Sequence, residues 1–179
     1  MNYLGVDPGS SGSLTLLAPD GAVLALVKAS ETLPDIVDAL EAMMKRGPLT
    51  AAFEKVSAFT GQGAQASFIF GRNTGDLRGI LAALRIPCRE VSPVKWQREF
   101  VLPSQKKCGG SKTVKKNHHK ARAQELFPRV KITHAFADSL LIAEWLRRQE
   151  VGGAPAKALK PLKLAPVAAK RDPVEDLFG

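Results

Sequence analysis

The chain has 179 residues, a formal net charge of +9 and 45% hydrophobic residues, which suits one domain with a core and a tail. This excludes a large two-domain machine and a wholly disordered chain, and no window approaches the roughly 20 apolar residues that cross a bilayer. Two cysteines, Cys88 and Cys108, favour a cytoplasmic protein over a disulfide framework, and Met1 leads almost directly into an apolar segment, so we expect no secretory signal.

The first part of the sequence predicts strands. Asn2–Asp7 is an apolar run that ends in a carboxylate, as expected of a short buried strand. Two further apolar runs, Ser13–Ala18 and Ala22–Lys28, are separated by the turn tripeptide Pro19-Asp20-Gly21. They therefore predict a β-hairpin.

Helical and strand patterns then alternate. Apolar residues recur with a helical period over 33–46, and Gly47-Pro48 ends this predicted helix. Thr50–Val56 has strand character, with Glu54 near its C-terminal end, and residues 65–84 are helical again. Because antiparallel strands lead and helices then alternate with strands, we expect an α/β fold built on a mixed sheet flanked by helices.

Shorter elements follow. Arg89–Val91 predicts a strand and Val94–Phe100 a short helix. Residues 103–116 lack apolar periodicity and contain Gly-Gly, so they predict a mobile basic loop. Two more helices are expected, over 117–127 and 134–149.

The composition changes at the C-terminal end. We expect one domain over 1–150 and, because residues 151–179 are rich in Ala, Pro and Lys, a flexible basic linker that ends in a short peptide. That peptide, Val174–Gly179, is acidic and apolar. It is either a frayed terminus or a docking peptide that offers Leu177 and Phe178 to a groove, and it loosely resembles the motifs by which replication and repair proteins hold the sliding clamp.

The positive charge is concentrated in one block. Residues 85–133 carry 13 basic and 3 acidic side chains, a net charge of +10, whereas the rest of the chain is close to neutral. Such a block favours a polyanion, above all nucleic acid, over a surface that serves only solubility. We expect phosphate contacts, and hence recognition of shape rather than sequence, from Lys106, Lys107, Lys112, Lys115, Lys116, Lys120 and Arg122.

Three carboxylates interrupt apolar segments. Asp7 and Glu54 lie at or near the ends of predicted strands, and Asp138 lies near the start of an apolar helix, one turn after His134. Buried carboxylates are unfavourable unless they are paired or bind a metal. Oxygen ligands suit Mg²⁺ or Mn²⁺, and metals beside a basic tract are what phosphodiester hydrolysis requires.

Three of these four residues also have a purely structural interpretation. Asp7 could cap the turn at Pro8-Gly9, Glu54 could pair with a neighbouring lysine, and His134 could simply begin the last helix. A zinc site of Cys108, His118 and His119 is a further alternative, although the spacing is not typical of one.

Several motifs together resemble a known nuclease family. They are Gly5-Val6-Asp7-Pro8-Gly9-Ser10-Ser11-Gly12, Phe53-Glu54-Lys55-Val56, Gln62-Gly63, Ser67-Phe68-Ile69-Phe70-Gly71, Lys95-Trp96, and the stretches 115–128 and 134–143. In these residues the sequence is similar to the RuvC-type Holliday junction resolvases of the RNase H-like superfamily. The similarity covers the chain up to about residue 150 and leaves out the tail.

The resemblance implies an enzyme that cuts four-way DNA junctions as a homodimer. It implies two symmetric nicks, made with Mg²⁺ or with Mn²⁺ as its substitute. Asp7, Glu54 and Asp138 match the metal-binding carboxylates of the family.

Other family features map less directly onto this chain. The fourth ligand, Asp or His, lies about one turn before the last, and His134 is our candidate because Ala135 stands three residues before Asp138. Some members insert an aromatic residue into the junction from the loop after the catalytic Glu, and Phe59 is the nearest aromatic here, with loop packing as the alternative. Gly71, Gly75 and Gly79 lie on one helical face, either at a dimer interface or in close packing within the monomer.

Three other protein classes are weighed against this interpretation. The actin and sugar-kinase superfamily shares the Asp-x-Gly turn, but its members need two domains, which 179 residues cannot hold. A protein that binds branched DNA without cutting it, and an RNase H-like nuclease that cuts flaps or RNA–DNA hybrids, stay open as alternatives.

Overall fold

Five apolar segments form the strands of one sheet. The computed structural model describes residues 1–9, 11–29, 32–55 and 63–152. The strands are β1 (Asn2–Asp7), β2 (Ser13–Leu17), β3 (Val23–Lys28), β4 (Leu49–Glu54) and β5 (Cys88–Val91). The helices are α1 (Leu33–Met44), α2 (Ala64–Ala83), α3 (Pro93–Glu99), α4 (Lys112–Leu126) and α5 (His134–Val151), and a 3₁₀ turn spans Lys106–Cys108.

The sheet is mixed, as the sequence predicts. Its strand order is β3-β2-β1-β4-β5. Strand β2 pairs antiparallel with both β3 and β1, whereas β1 pairs parallel with β4 and β4 parallel with β5. The predicted α/β fold with leading antiparallel strands is therefore confirmed.

Successive side chains of the strands pack into two separate hydrophobic cores. Tyr3 and Ala52 belong to a core shared with α3, α4 and α5, whereas their neighbours Leu4 and Ala51 belong to a core shared with α1 and α2. This follows from the two-residue period of a strand, which sends successive side chains to opposite faces. The sheet thus lies between two layers of helices.

Helix α5 lies unusually close to β1. A Cβ atom on Gly5 would stand 2.0 Å from the backbone oxygen of Ser139 and 2.4 Å from the backbone nitrogen of Ala143. Only glycine permits this approach. The Ser139 hydroxyl also forms buried hydrogen bonds with the hydroxyls of Ser13, at 2.6 Å, and Thr15, at 2.7 Å. These contacts fix α5, and with it Asp138, over the centre of the sheet.

The prediction of a loop over 103–116 is wrong in its second half. Helix α4 already begins at Lys112, and the Ser111 hydroxyl accepts a hydrogen bond from the Val114 backbone N–H as its N-cap. The helix is hard to recognise because His119 and Arg122, rather than apolar side chains, occupy its buried face with Ala123. Five of the basic residues predicted to bind DNA therefore stand on a helix: Lys112, Lys115, Lys116, Lys120 and Arg122.

None of the described helices is both long and apolar enough to cross a bilayer.

Candidate functional site

Asp7 and Glu54 end neighbouring parallel strands. In the register between β1 and β4, Val6 lies opposite Phe53, so the two carboxylates follow as the next residue of each strand. Carboxyl ends of parallel strands meet at one edge of a sheet, where ligand and active sites of open α/β sheets form. The fold therefore brings together two carboxylates that lie far apart in the sequence.

The turn after β1 holds Asp7 in place. The Gly9 backbone N–H donates to Asp7 Oδ1 at 3.1 Å. The structural interpretation of Asp7 as a turn cap is thus correct. It is compatible with a role in a metal site because this bond involves one of the two carboxylate oxygens.

The environment of Asp7 disfavours its charge. Burial, followed by repulsion from Asp138, raises the pKa of Asp7 to about 6, while the Gly9 hydrogen bond and the charge of Lys116 act in the opposite direction. Asp138 projects from α5, and its effect on Asp7 shows that the two carboxylates lie within electrostatic range of each other.

The pKa of Glu54 is raised further than that of Asp7. Burial and then the charge of Asp7 raise its pKa to about 8, with a smaller contribution from Asp138. The Trp96 indole N–H, which donates to Glu54 Oε1 at 2.9 Å, and the charge of Lys115 lower it. Three carboxylates that repel one another in a largely buried place form a site that a cation would stabilise.

The basic residues of α4 stand next to these carboxylates. Lys115 and Lys116, in the first two turns of the helix, are the two lysines whose charges act on Glu54 and Asp7. Lys106, Lys107 and Lys112 are exposed, and Lys120 is half-buried. Positive side chains thus border the carboxylates on the side of α4.

Arg122 does not belong with this set. Its side chain is only 1% exposed, and its Nη1 donates to Glu125 Oε2 at 2.6 Å. Because a core residue cannot contact a DNA backbone, we correct the prediction and leave Arg122 out of the DNA-binding residues.

The structure describes His134 but not Phe59. His134 is the exposed first residue of α5, and its Nε2 lies 2.9 Å from Asn117 Oδ1. Since an amide oxygen only accepts, Nε2 carries the hydrogen and Nδ1 is the nitrogen that could bind a metal. Phe59 lies outside the described residues.

Two residues that contact the carboxylates are not among the predicted site residues. Trp96 on α3 contacts Glu54, and the Nδ1 atom of His119 on α4 lies 2.6 Å from Asp138 Oδ1. A buried tryptophan usually needs an acceptor for its N–H, and a histidine on the buried face of a helix needs a partner, so these were the available signals. The signal from His119 is weak because the sequence predicts a loop for the first turn of α4.

The donor set determines which metal the site suits. In the part of the chain that the structure describes, no three His, Cys, Asp or Glu side chains stand close enough together to hold an ion as they are placed, and this includes the alternative zinc site. Carboxylate oxygens are nevertheless the ligands that Mg²⁺ and Mn²⁺ prefer. A divalent cation would also remove the repulsion that raises the pKa values of Asp7 and Glu54.

Comparisons with known proteins agree with this architecture. No protein-family model and no curated protein sequence matches the chain. Among solved structures, the chain is similar to a Thermus thermophilus RuvC in complex with a Holliday junction substrate, with 17% identity and a TM-score of 0.57, over 87% of this chain and 99% of that one. A second Thermus thermophilus RuvC structure has 18% identity and the same TM-score of 0.57 and coverage. The protein therefore has a RuvC-like fold of the RNase H type.

Proposed function

We propose that this protein is a metal-dependent endonuclease that resolves four-way DNA junctions by paired symmetric nicks, in cytoplasmic recombination or repair. The observation that carries the proposal is the parallel pairing of β1 and β4, which brings Asp7 and Glu54 to one sheet edge, where the charges of Asp138 on α5 and of the lysines of α4 act on them. The RuvC-like fold supports it, because one similar structure contains a RuvC with a Holliday junction substrate.

Each group has a distinct role in this proposal. Asp7, Glu54 and Asp138 hold the cation, with His134 as the fourth ligand. Bound Mg²⁺, or Mn²⁺ in its place, would activate the attacking water and stabilise the leaving oxygen. Lys115 and Lys116 hold the phosphate next to the carboxylates and balance its developing charge.

The remaining lysines extend the DNA contact away from the site of cleavage. Lys106, Lys107, Lys112 and Lys120 belong to the block of residues 85–133, which carries a net charge of +10. Phosphate contacts carry no base information, so we propose recognition of the junction by its shape, with affinity that falls steeply as salt rises. In this scheme residues 1–150 form the nuclease domain and 151–179 the linker and docking peptide, for which the sliding clamp is our candidate partner. Residues 153–179 lie outside the described residues.

One face of α2 supports a homodimer. A Cβ atom added to Gly71, Gly75 or Gly79 would meet nothing within 4 Å, so close packing of these glycines against the rest of the described monomer is excluded. Phe68 lies on the same face of the helix, three residues before Gly71, and is 70% exposed. We propose that a second copy of the chain covers this face, which places two active sites on the two symmetric strands of a junction.

A charged side chain introduced on this face of α2 tests the homodimer. Phe68→Asp should convert a dimer into a monomer, because the carboxylate would be buried in the interface. Val94→Asp is the matched control, since Val94 is 68% exposed on α3, away from α2. Sedimentation velocity should show a shift to monomer for Phe68→Asp alone. A wild-type protein that is monomeric at all concentrations measured would contradict the homodimer.

Cleavage of a synthetic four-way junction tests the proposed function itself. With Mg²⁺ or Mn²⁺ the wild-type protein should make paired symmetric nicks, and Asp7→Asn should reduce their rate by about 10³-fold or more, since metal-assisted hydrolysis loses a ligand. Binding of the junction should persist in this variant. The control is Asp38→Asn, which changes an exposed carboxylate on α1.

Other outcomes of this assay favour the alternatives. Binding without cleavage under both metals would support a protein that only recognises branched DNA. Faster cleavage of flaps or RNA–DNA hybrids would support a different RNase H-like nuclease. Equal cleavage of linear duplex would contradict recognition of the junction.

A further inference from the structure

Two buried aromatic rings lie beneath the carboxylates. Trp96 and His119 are 0% and 2% exposed, and they come from different helices, α3 and α4. Their rings meet edge to face, with centroids 5.4 Å apart and an interplanar angle of 77°. Each ring also makes one polar contact, and in both cases the partner is a carboxylate of the candidate site.

These polar contacts hold one oxygen of each carboxylate. The Trp96 indole N–H donates to Glu54 Oε1 at 2.9 Å, and His119 Nδ1 lies 2.6 Å from Asp138 Oδ1. Among the described residues, the second oxygen of each carboxylate has no recorded hydrogen bond. The contacts therefore leave one oxygen of Glu54 and one of Asp138 free to bind another group.

His119 contacts Asp138 through Nδ1 alone. A carboxylate that holds a cation only accepts hydrogen bonds, so Nδ1 serves as the donor to Asp138 in the proposed site. The other ring nitrogen, Nε2, is buried without a hydrogen-bond partner among the described residues. A leucine would fill this space without burying an unpaired nitrogen, which is unfavourable. Packing alone therefore does not account for a histidine at this position.

The two rings connect parts of the site that are distant in the chain. Trp96 and Glu54 are separated by 42 residues, and His119 and Asp138 by 19. Through the contact between the rings, the side chain from β4 and the side chain from α5 are held by one rigid aromatic pair. Hydrogen bonds of this kind orient the ligands of metal sites.

We propose that Trp96 and His119 are positioning residues, which each hold one oxygen of Glu54 or of Asp138 and leave the other oxygen available to a divalent cation. The inference rests on the proposed metal site at Asp7. It adds two residues to that site which touch neither the cation nor the DNA and act only through the two carboxylates.

Metal binding without DNA tests the role of each donor. By calorimetry, Trp96→Phe and His119→Leu should each weaken Mn²⁺ binding by about 10- to 100-fold, because each loses the donor but keeps much of the volume. His119→Asn should retain most of the affinity, since its amide nitrogen can take the place of Nδ1 as donor. His118→Leu, on the same helix, is the control and should bind Mn²⁺ as the wild type does.

A second measurement follows the wild-type protein by NMR. The chain has two tryptophans, so its NMR spectrum has two indole N–H signals, which Trp96→Phe assigns. Mg²⁺ should shift the Trp96 signal because the acceptor Glu54 binds the ion. The Trp145 signal should stay in place, and in Asp7→Asn neither signal should move.

The possible failures can be told apart. Wild-type affinity in both Trp96→Phe and His119→Leu, or equal losses in His119→Leu and His119→Asn, would overturn the positioning role, as would a Trp96 signal that ignores bound Mg²⁺. Normal Mn²⁺ binding without junction cleavage would contradict the proposed function alone. A wild-type protein without Mn²⁺ binding that depends on Asp7 would overturn both.

Discussion

Replacing Glu54 with Gln should abolish DNA cleavage and, at the same time, stabilise the metal-free protein at alkaline pH. Gln keeps an oxygen that can accept the hydrogen bond from Trp96, which Glu54 receives at 2.9 Å. It removes the charge that burial and Asp7 disfavour. The same carboxylate is thus expected to be essential for activity and unfavourable for folding.

The sign of the stability effect follows from the pKa. Glu54 has a pKa of about 8 in the folded protein, against an ordinary value of 4.5. Between these two values the folded state binds the proton more tightly than the unfolded state, so stability falls as pH rises through this window. Gln does not titrate. The advantage of Glu54→Gln should therefore be absent below about pH 4.5 and complete above about pH 8, where it is on the order of 5 kcal/mol.

Denaturation in the presence of a chelator checks this half of the prediction. Urea unfolding at about pH 5 and about pH 9 should show a larger gain for Glu54→Gln at the higher pH. Glu41→Gln, which changes an exposed carboxylate on α1, is the matched control. An equal effect of Glu54→Gln at both pH values would mean that Glu54 is not held in an unfavourable charge state.

Single-turnover cleavage checks the other half. Loss of a metal ligand removes several kcal/mol of transition-state stabilisation, which corresponds to a rate loss of about 10³-fold or more. Cleavage within tenfold of wild type would exclude Glu54 from the metal site. It would leave the stability result intact, because that result depends only on the carboxylate and its surroundings.

The sequence predicts those parts of the site that depend on local patterns. Strand β1 ends at Asp7, as its apolar run predicts, and β4 ends at Glu54, two residues before the predicted end of that strand. Their proximity then follows from parallel pairing of the two strands. The same reasoning predicts the β2–β3 hairpin and the helical start of α5, where Asp138 lies.

Contacts between distant elements could not be predicted in this way. The bond between His119 and Asp138 depends on how α4 packs against α5, and the sequence of α4 has no apolar period from which a buried face can be derived. Arg122 belongs to the basic block and is therefore predicted to contact phosphates, but the fold buries it. Charge patterns in a sequence therefore indicate a basic segment without indicating which of its residues face the solvent.

Gly5→Ala should strongly destabilise the protein. The new Cβ atom would lie 2.0 Å from the Ser139 oxygen and 2.4 Å from the Ala143 nitrogen. Both atoms belong to the backbone of α5, so no side-chain rotation can relieve the clash. Helix α5 must move away from β1, which breaks the hydroxyl contacts of Ser139 with Ser13 and Thr15.

We expect a loss of about 3 kcal/mol in the free energy of unfolding, at the upper end for overpacked cores. Urea denaturation measures it directly. The control is Gly63→Ala, because a Cβ atom at Gly63 meets nothing within 4 Å. Comparable stability of the two variants would show that α5 can shift without loss.

The activity of Gly5→Ala shows whether a shift of α5 affects cleavage independently of the loss of protein stability. Asp138 lies one residue before Ser139, so a shift of α5 also moves Asp138 relative to Asp7. Misplacement of a catalytic group by about 1 Å lowers the rate by roughly 10²-fold. Cleavage should therefore be reduced by this factor even at low temperature, where circular dichroism confirms that the variant is folded. Full activity of the folded variant would mean that the carboxylates reach their working positions independently of how closely α5 packs on the sheet.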